Sequence, residues 1–246
     1  MRTYLLLSVF ALLVFSCREE YNYNVPVNTV PEPPIIGKTL SATEVTAFKQ
    51  MVSNAGAGNG DQSTVKKWQT REVLVHIVNP SFGYLNNELD SILRDINALT
   101  NPSLVFKKTA DRSSAKTLIY LTDRNTFANA QALVYASFLK QQADGYAYTF
   151  WGSDDKLDGS VVFIDMARSN STSLDNRYIL RHELMHTLGF YGHVTSSEFS
   201  TSNFFQFRNL TTSYSAFDKK MISLLYNPAV KAGMNGADLN AVLVNL

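Results

Sequence analysis

The sequence predicts a β-sheet with helices packed against it, of the α/β or α+β kind. Three observations carry this expectation. Five short segments have strand character: 72–78 (EVLVHIV), 103–107, 116–122 (KTLIYLT), 146–151 (YAYTFW) and 160–166 (SVVFIDM). Between the first two, Leu85, Leu89, Ile92, Leu93, Ile96 and Leu99 recur at helical spacing. Hydrophobic residues make up 45% of 246 residues, enough for the core of one generous domain.

Each element follows from local chemistry. Ser41-Ala42-Thr43-Glu44 is a capping box and opens a short helix to about Val52. Asn54 to Gln62 is a Gly-rich loop; with no GK[ST] after it, it is no phosphate-binding loop. The first strand carries His76, which reads as structural, since a lone strand histidine has no partner ligand in sequence. After the helix over 85–99 come two strands, a looser and partly helical stretch over 127–140, then two more strands. Ser173 is the expected cap of a helix running from Leu174 to Leu188. An irregular stretch and a last helix complete the chain.

The N-terminus reads as a leader. Arg2 precedes an apolar run from Tyr4 to Phe15, shorter than the ~20 residues a bilayer span needs. Val14-Phe15-Ser16-Cys17 resembles a bacterial lipobox, in which the cysteine is lipidated and becomes the mature N-terminus. Cys17 is the chain's one cysteine, so an internal disulfide and a cysteine zinc site are both excluded. Arg18-Glu19-Glu20 looks like the surface-export signal of Bacteroides-like lipoproteins. Four prolines between residues 18 and 40 make a stalk. The expected organisation is a signal peptide over 1–16, a lipidated Cys17 with a Pro-rich linker over 17–40, and a domain over 41–246. The expected location is the bacterial cell envelope, lipid-anchored to the outer membrane, with surface display as what the export signal implies. Lys plus Arg is 22 and Asp plus Glu 21, a balance that gives no nucleic-acid-binding excess. The protein is expected to be a monomer that meets the membrane only through its lipid.

Chemistry concentrates in residues 182–193, HELMHTLGFYGH, which hold three of the four histidines. His182 and His186 are four apart on a helix and share one face, ~6 Å apart. Two imidazoles so placed can bind one metal. Glu183 points to the neighbouring side, where it can act as a base on a metal-activated water instead of ligating. Gly189 suits the left-handed turn that ends the helix, and the turn brings His193 round as a third ligand. A His₃ set leaves a position open for water, as catalytic zinc sites do.

This run resembles the signature HExxHxxGxxH of the metzincin clan of zincin metallopeptidases. The third histidine stands eleven residues after the first instead of ten, an offset Gly192 can absorb. Glu198 and Asp218 are the alternative third ligands. The resemblance covers roughly residues 65–235. It implies an α+β, zincin-like fold: a twisted, mostly parallel sheet with an antiparallel edge strand, an active-site helix and a C-terminal helix. By analogy 146–151 is the edge strand that pairs with an extended peptide, and Asp218 to Tyr226 is the C-terminal helix. The stretch DKKMISLLYNPAVKAGM also looks like the tail of an uncharacterised bacterial family with a zincin-like motif. No methionine lies between His193 and Asp218 for a Met-turn; Ser197–Phe199 or Phe204–Phe207 is the expected substitute.

The expected function is that of a zinc metallopeptidase, an endopeptidase acting on protein or peptide substrates. Zn2+ is held by His182, His186 and His193. Glu183 is the general base, and Tyr191 and Tyr214 are candidate assistants. The alternative is a non-catalytic surface-binding lipoprotein on a zincin scaffold.

Overall fold

The structure, a computed structural model, describes residues 40–53, 63–100, 102–138, 143–169, 171–206 and 210–246. The leader, Cys17, the Pro-rich linker, the Gly-rich loop over 54–62 and Phe207 lie outside the described residues. Among the described residues no helix is long and apolar enough to cross a membrane.

The order is α1 (Ala42–Val52), β1 (Glu72–Ile77), α2 (Gly83–Thr100), β2 (Val105–Lys108), β3 (Thr117–Thr122), α3 (Arg124–Ala130), α4 (Ala132–Phe138), β4 (Gly145–Trp151), β5 (Leu157–Asp165), α5 (Ser173–His186), α6 (Ala216–Leu225) and α7 (Gly236–Leu243). Two short 3₁₀ turns add to these, at Arg112–Ser114 and Ser197–Phe199. The strands form one sheet in the order β2-β1-β3-β5-β4. Every neighbouring pair is parallel except β4 with β5, so β4 is an antiparallel edge strand. The fold is thus α+β with a mostly parallel sheet.

Alternation of side chains sends the strand residues to two faces. Val73, Val75, Ile119, Leu121, Val162 and Ile164 join the larger core with residues of α1, α2, α5 and α6. Tyr120, Tyr146, Val161 and Phe163 form a smaller core on the other face with Phe127 of α3 and Val134 of α4. α5 runs through the larger core, and Tyr178, Ile179, Leu180, Arg181, Glu183, Leu184 and Met185 are all buried. A buried helix must satisfy its polar side chains locally. Arg181 does so by pairing with Glu88 at 3.0 Å and Asp95 at 2.7 Å, which ties α5 to α2. Truncating Arg181 would strand the buried Glu88, a loss of ~3–5 kcal/mol.

Three boundaries differ from the sequence expectation. Thr172, not Ser173, caps α5: its hydroxyl accepts from Asp175 N, while the Asp175 carboxylate accepts from Thr172 N. The helix ends at His186 and not Leu188, because Leu188 N and Gly189 N turn back to Met185 O and His186 O and Gly189 takes φ +111°. The stretch expected over 127–140 falls, in its described residues, on two short helices, Arg124–Ala130 and Ala132–Phe138, the first opened by Asp123, whose side chain accepts from Thr126 N. α7, which the sequence reading leaves out, is opened by Asn235 and Asp238 in a reciprocal capping box.

Candidate metal centre

α5 carries His182 and His186 one turn apart, with ring centroids separated by 4.9 Å. After Gly189 the chain runs against the end of α1, where Tyr191 N and Gly192 N both donate to Met51 O, at 2.7 and 3.0 Å. A Cβ on Gly192 would collide with the carbonyl of Gln50. Glycine at this position therefore lets the loop lie flat on α1 and return towards α5. Val194 then bridges to Phe205, with Val194 N donating to Phe204 O at 2.9 Å. His193 stands between these two anchors, with its ring parallel to that of His182 at 5.0 Å.

The three Nε2 atoms form a nearly equilateral triangle. His182 and His193 are 3.0 Å apart, and His186 is 3.2 Å from each. His182 Nδ1 lies 2.6 Å from Asn203 O, and His186 Nδ1 lies 2.6 Å from Phe190 O. A carbonyl can only accept, so each Nδ1 carries its ring's proton. The Nε2 atoms of His182 and His186 therefore present lone pairs to one another. Lone pairs at such separations repel unless a cation lies between them. Three nitrogens at ~2.0–2.1 Å from one tetrahedral ion stand roughly 3–3.5 Å apart, so the set fits zinc. Burial, then His186 and His193, hold His182 well below the ordinary imidazole range, and burial lowers His186. Burial and His186 push His193 down to about 3. All three rings are therefore neutral at pH 7, as ligation requires.

Glu183 is 8% exposed and lies on the side of α5 that meets β4. Its Oε1 is 2.9 Å from the point where a Cβ on Gly145 would stand. Burial alone pushes its carboxyl up to about 8, and among the described residues no hydrogen bond or ion pair engages it.

Residues 44–245 match the sequence model of a family described as a protein of unknown function, DUF2927. The chain belongs to this family. No curated protein matches it by sequence. The DUF2927 match runs from the first turn of α1 to just past α7, and so takes in every strand and the whole histidine cluster.

In this DUF2927 chain the alternative third ligands stand elsewhere. Among the described residues His182, His186 and His193 are the one group placed to share a metal ion, and no carboxylate joins them. Glu198 is exposed on the second 3₁₀ turn. Asp218 is fully buried but accepts from Ser202, Asn203 and Ser215. Tyr214 lies under the Arg181 guanidinium, 4.6 Å from ring to carbon, which gives it a packing role. Tyr191 is half-buried and packs edge-on against Trp151 at 5.7 Å, and burial raises its pKa. His76 Nδ1 bonds Thr109 O at 3.1 Å, a structural contact on β1. Of the two segments considered in place of a Met-turn, Ser197–Phe199 stacks Phe199 on Phe217 at 4.1 Å. The other brings buried Phe204 to 4.4 Å from Phe190, whose carbonyl holds His186.

Sequence reasoning misses the groups around the cluster. The carbonyls of Asn203 and Phe190 have no side-chain signature. Trp68 Nε1 donates to Thr187 O and Tyr226 OH to Leu188 O, both at 2.8 Å, and these bonds satisfy carbonyls where α5 ends. Capping signals around 187–189 suggest a helix end but not which distant donors reach it.

Proposed function

We propose that this DUF2927 chain is a zinc-dependent peptidase of the zincin type, with His182, His186 and His193 as metal ligands and Glu183 as general base. One observation carries the reading: three neutral imidazoles turn their Nε2 atoms to a single point, and the residue next to His182 on α5 is a buried glutamate that no hydrogen bond or ion pair engages among the described residues. A zinc ion held by His182, His186 and His193 would supply a water of lowered pKa and a charge to polarise a carbonyl.

The chain's own residues supply the rest. Glu183 neighbours His182 on α5 but is turned towards β4, so it takes and returns a proton instead of ligating. Burial raises this carboxyl above the ordinary glutamate range, towards the neutral pH at which a general acid–base is most effective. Gly145 begins the edge strand beside that carboxylate. An extended peptide paired with β4 would cross the site there, which supports a peptide substrate. A lone structural metal site gives Glu183 no task, and this favours the enzyme over the non-catalytic surface-binding alternative. The lipid anchor on Cys17 at the bacterial envelope remains part of the proposal. It is tested by comparing radiolabelled fatty-acid incorporation in wild type and Cys17→Ala, and equal labelling would remove it.

The test of function is metal content with turnover. The purified protein should hold about one zinc per chain by mass spectrometry and cleave members of a fluorogenic peptide library. A chelator should abolish cleavage, and added zinc should restore it. A protein that binds zinc but cleaves nothing in the library would favour the binding role.

A further inference from the structure

We infer that Asp218, on α6, is a positioning residue for His182 and acts through the Ser202–Asn203 loop; this rests on the metal-site reading above. The Asp218 side chain is fully buried and faces no cation in an ion pair among the described residues. Its charge is instead met by a ring of donors. Oδ1 accepts from Ser202 Oγ at 2.5 Å and from Asn203 N at 3.1 Å. Oδ2 accepts from Asn203 N and Asn203 Nδ2, each at 3.1 Å, and from Ser215 N at 2.8 Å. The same residue is N3 of the α6 capping box, since Asp218 N donates to Ser215 Oγ at 3.1 Å.

Asn203 is thereby held at both its backbone and its side chain, and its Nδ2 also donates to Ser213 O at 2.9 Å. Its carbonyl is left to accept from His182 Nδ1 at 2.6 Å. The path is short: the carboxylate fixes the N–H and the side chain of Asn203, the residue so held aims its carbonyl at one ring proton, and that proton fixes the direction of the His182 Nε2 lone pair. Groups that orient a ligating histidine in this way contribute ~10–100-fold to metal affinity. A capping role alone would require only the contacts to Ser215. The three bonds to Asn203 and the one to Ser202 go beyond capping and point at the ligand.

Asparagine at 218 keeps the size but turns an acceptor oxygen into an NH₂ group that faces donors. The experiment measures zinc affinity by competition with a chromophoric chelator, and the visible spectrum of the cobalt-loaded protein, for wild type and three variants. Asp218→Asn should bind zinc ~10–100-fold more weakly and shift the cobalt bands. Ser202→Ala removes its bond to Asp218, and with it the donation from Phe204 N to Ser202 Oγ at 2.9 Å, but leaves the cap intact; it should weaken zinc by a smaller factor in the same direction, and it decides the matter if Asp218→Asn does not fold. Leu239→Ala opens a cavity in α7 and should lower the melting temperature with zinc affinity and cobalt spectrum unchanged. Wild-type affinity and spectrum in both relay variants would overturn the assignment. So would a loss in Leu239→Ala equal to that in Asp218→Asn, because the effect would then be general destabilisation. A wild type that binds no zinc would overturn the metal site itself, an outcome distinct from a failed relay on an intact site.

Discussion

Gly145 and Glu183 face each other so closely that a Cβ on Gly145 would stand 2.9 Å from Glu183 Oε1 and closer still to Ile179 Cγ2. The edge strand can therefore approach α5 only because residue 145 has no side chain. Gly145→Ala should push the carboxylate or the strand aside without touching a metal ligand. Misplacement of a catalytic group by about 1 Å costs ~10²-fold. Turnover of a peptide substrate should fall by about that factor, with zinc content near wild type. Unchanged turnover would contradict the claim that Glu183 needs a bare backbone at residue 145 to keep its place.

The third ligand gives a second prediction. Among the described residues no carboxylate shares the metal-holding group with these histidines, so none of them is placed to take over from His193. His193→Ala should leave only two protein ligands and lower zinc affinity by roughly two orders of magnitude or more, as ligand count governs such sites. Competition with a chelator measures this. Affinity within a few-fold of wild type would mean that another group completes the site.

Lys67 gives a prediction in pH. Its Nζ donates to Leu225 O at 2.6 Å, at the end of α6, and to Val230 O at 2.8 Å, just beyond it, and burial lowers its pKa to about 8. The unfolded chain holds that proton up to its ordinary value of about 10.5. Between the two values the unfolded state binds more protons, so stability rises with pH. The contribution is fully present above about 10.5 and lost as pH falls through about 8. A neutral amine still has two N–H groups for the two carbonyls, so the contacts survive deprotonation. Urea unfolding of wild type and Lys67→Met at pH 7.5, 9 and 10.5 should show wild type gaining up to ~3 kcal/mol relative to the variant. Parallel pH profiles would mean that Lys67 titrates like a solvated lysine.

Much of this arrangement is legible in the sequence, and the limits have physical causes. His182 and His186 are readable because four residues on any helix fix their relative placement. Short segments of strand character mark all five strands, alternating along β1 and nearly continuously apolar along β5, which is covered on both faces of the sheet. The third ligand is harder, because the path from Gly189 to His193 depends on where α1 ends and how closely Gly192 can lie on Gln50. Asp218 reads as a possible ligand because a carboxylate after the third histidine can be one. Only the folded chain shows its oxygens turned to Ser202, Asn203 and Ser215. α7 is short and has just Leu239 and Leu243 buried, so its periodicity is weak and its Asn235–Asp238 cap is the one local sign. The carbonyls that hold the histidines leave no trace in side-chain identity at all.

The most direct test of the account is Glu183→Gln, measured for zinc content and peptide turnover beside wild type. Glutamine keeps the size of the side chain but cannot accept the proton. Zinc should stay near one per chain, because no ligand is removed. Turnover should fall by ~10²–10⁴-fold, the scale of lost general-base catalysis. A Glu183→Gln protein that retains both its zinc and wild-type turnover would contradict the role given to Glu183 and with it the mechanism proposed here.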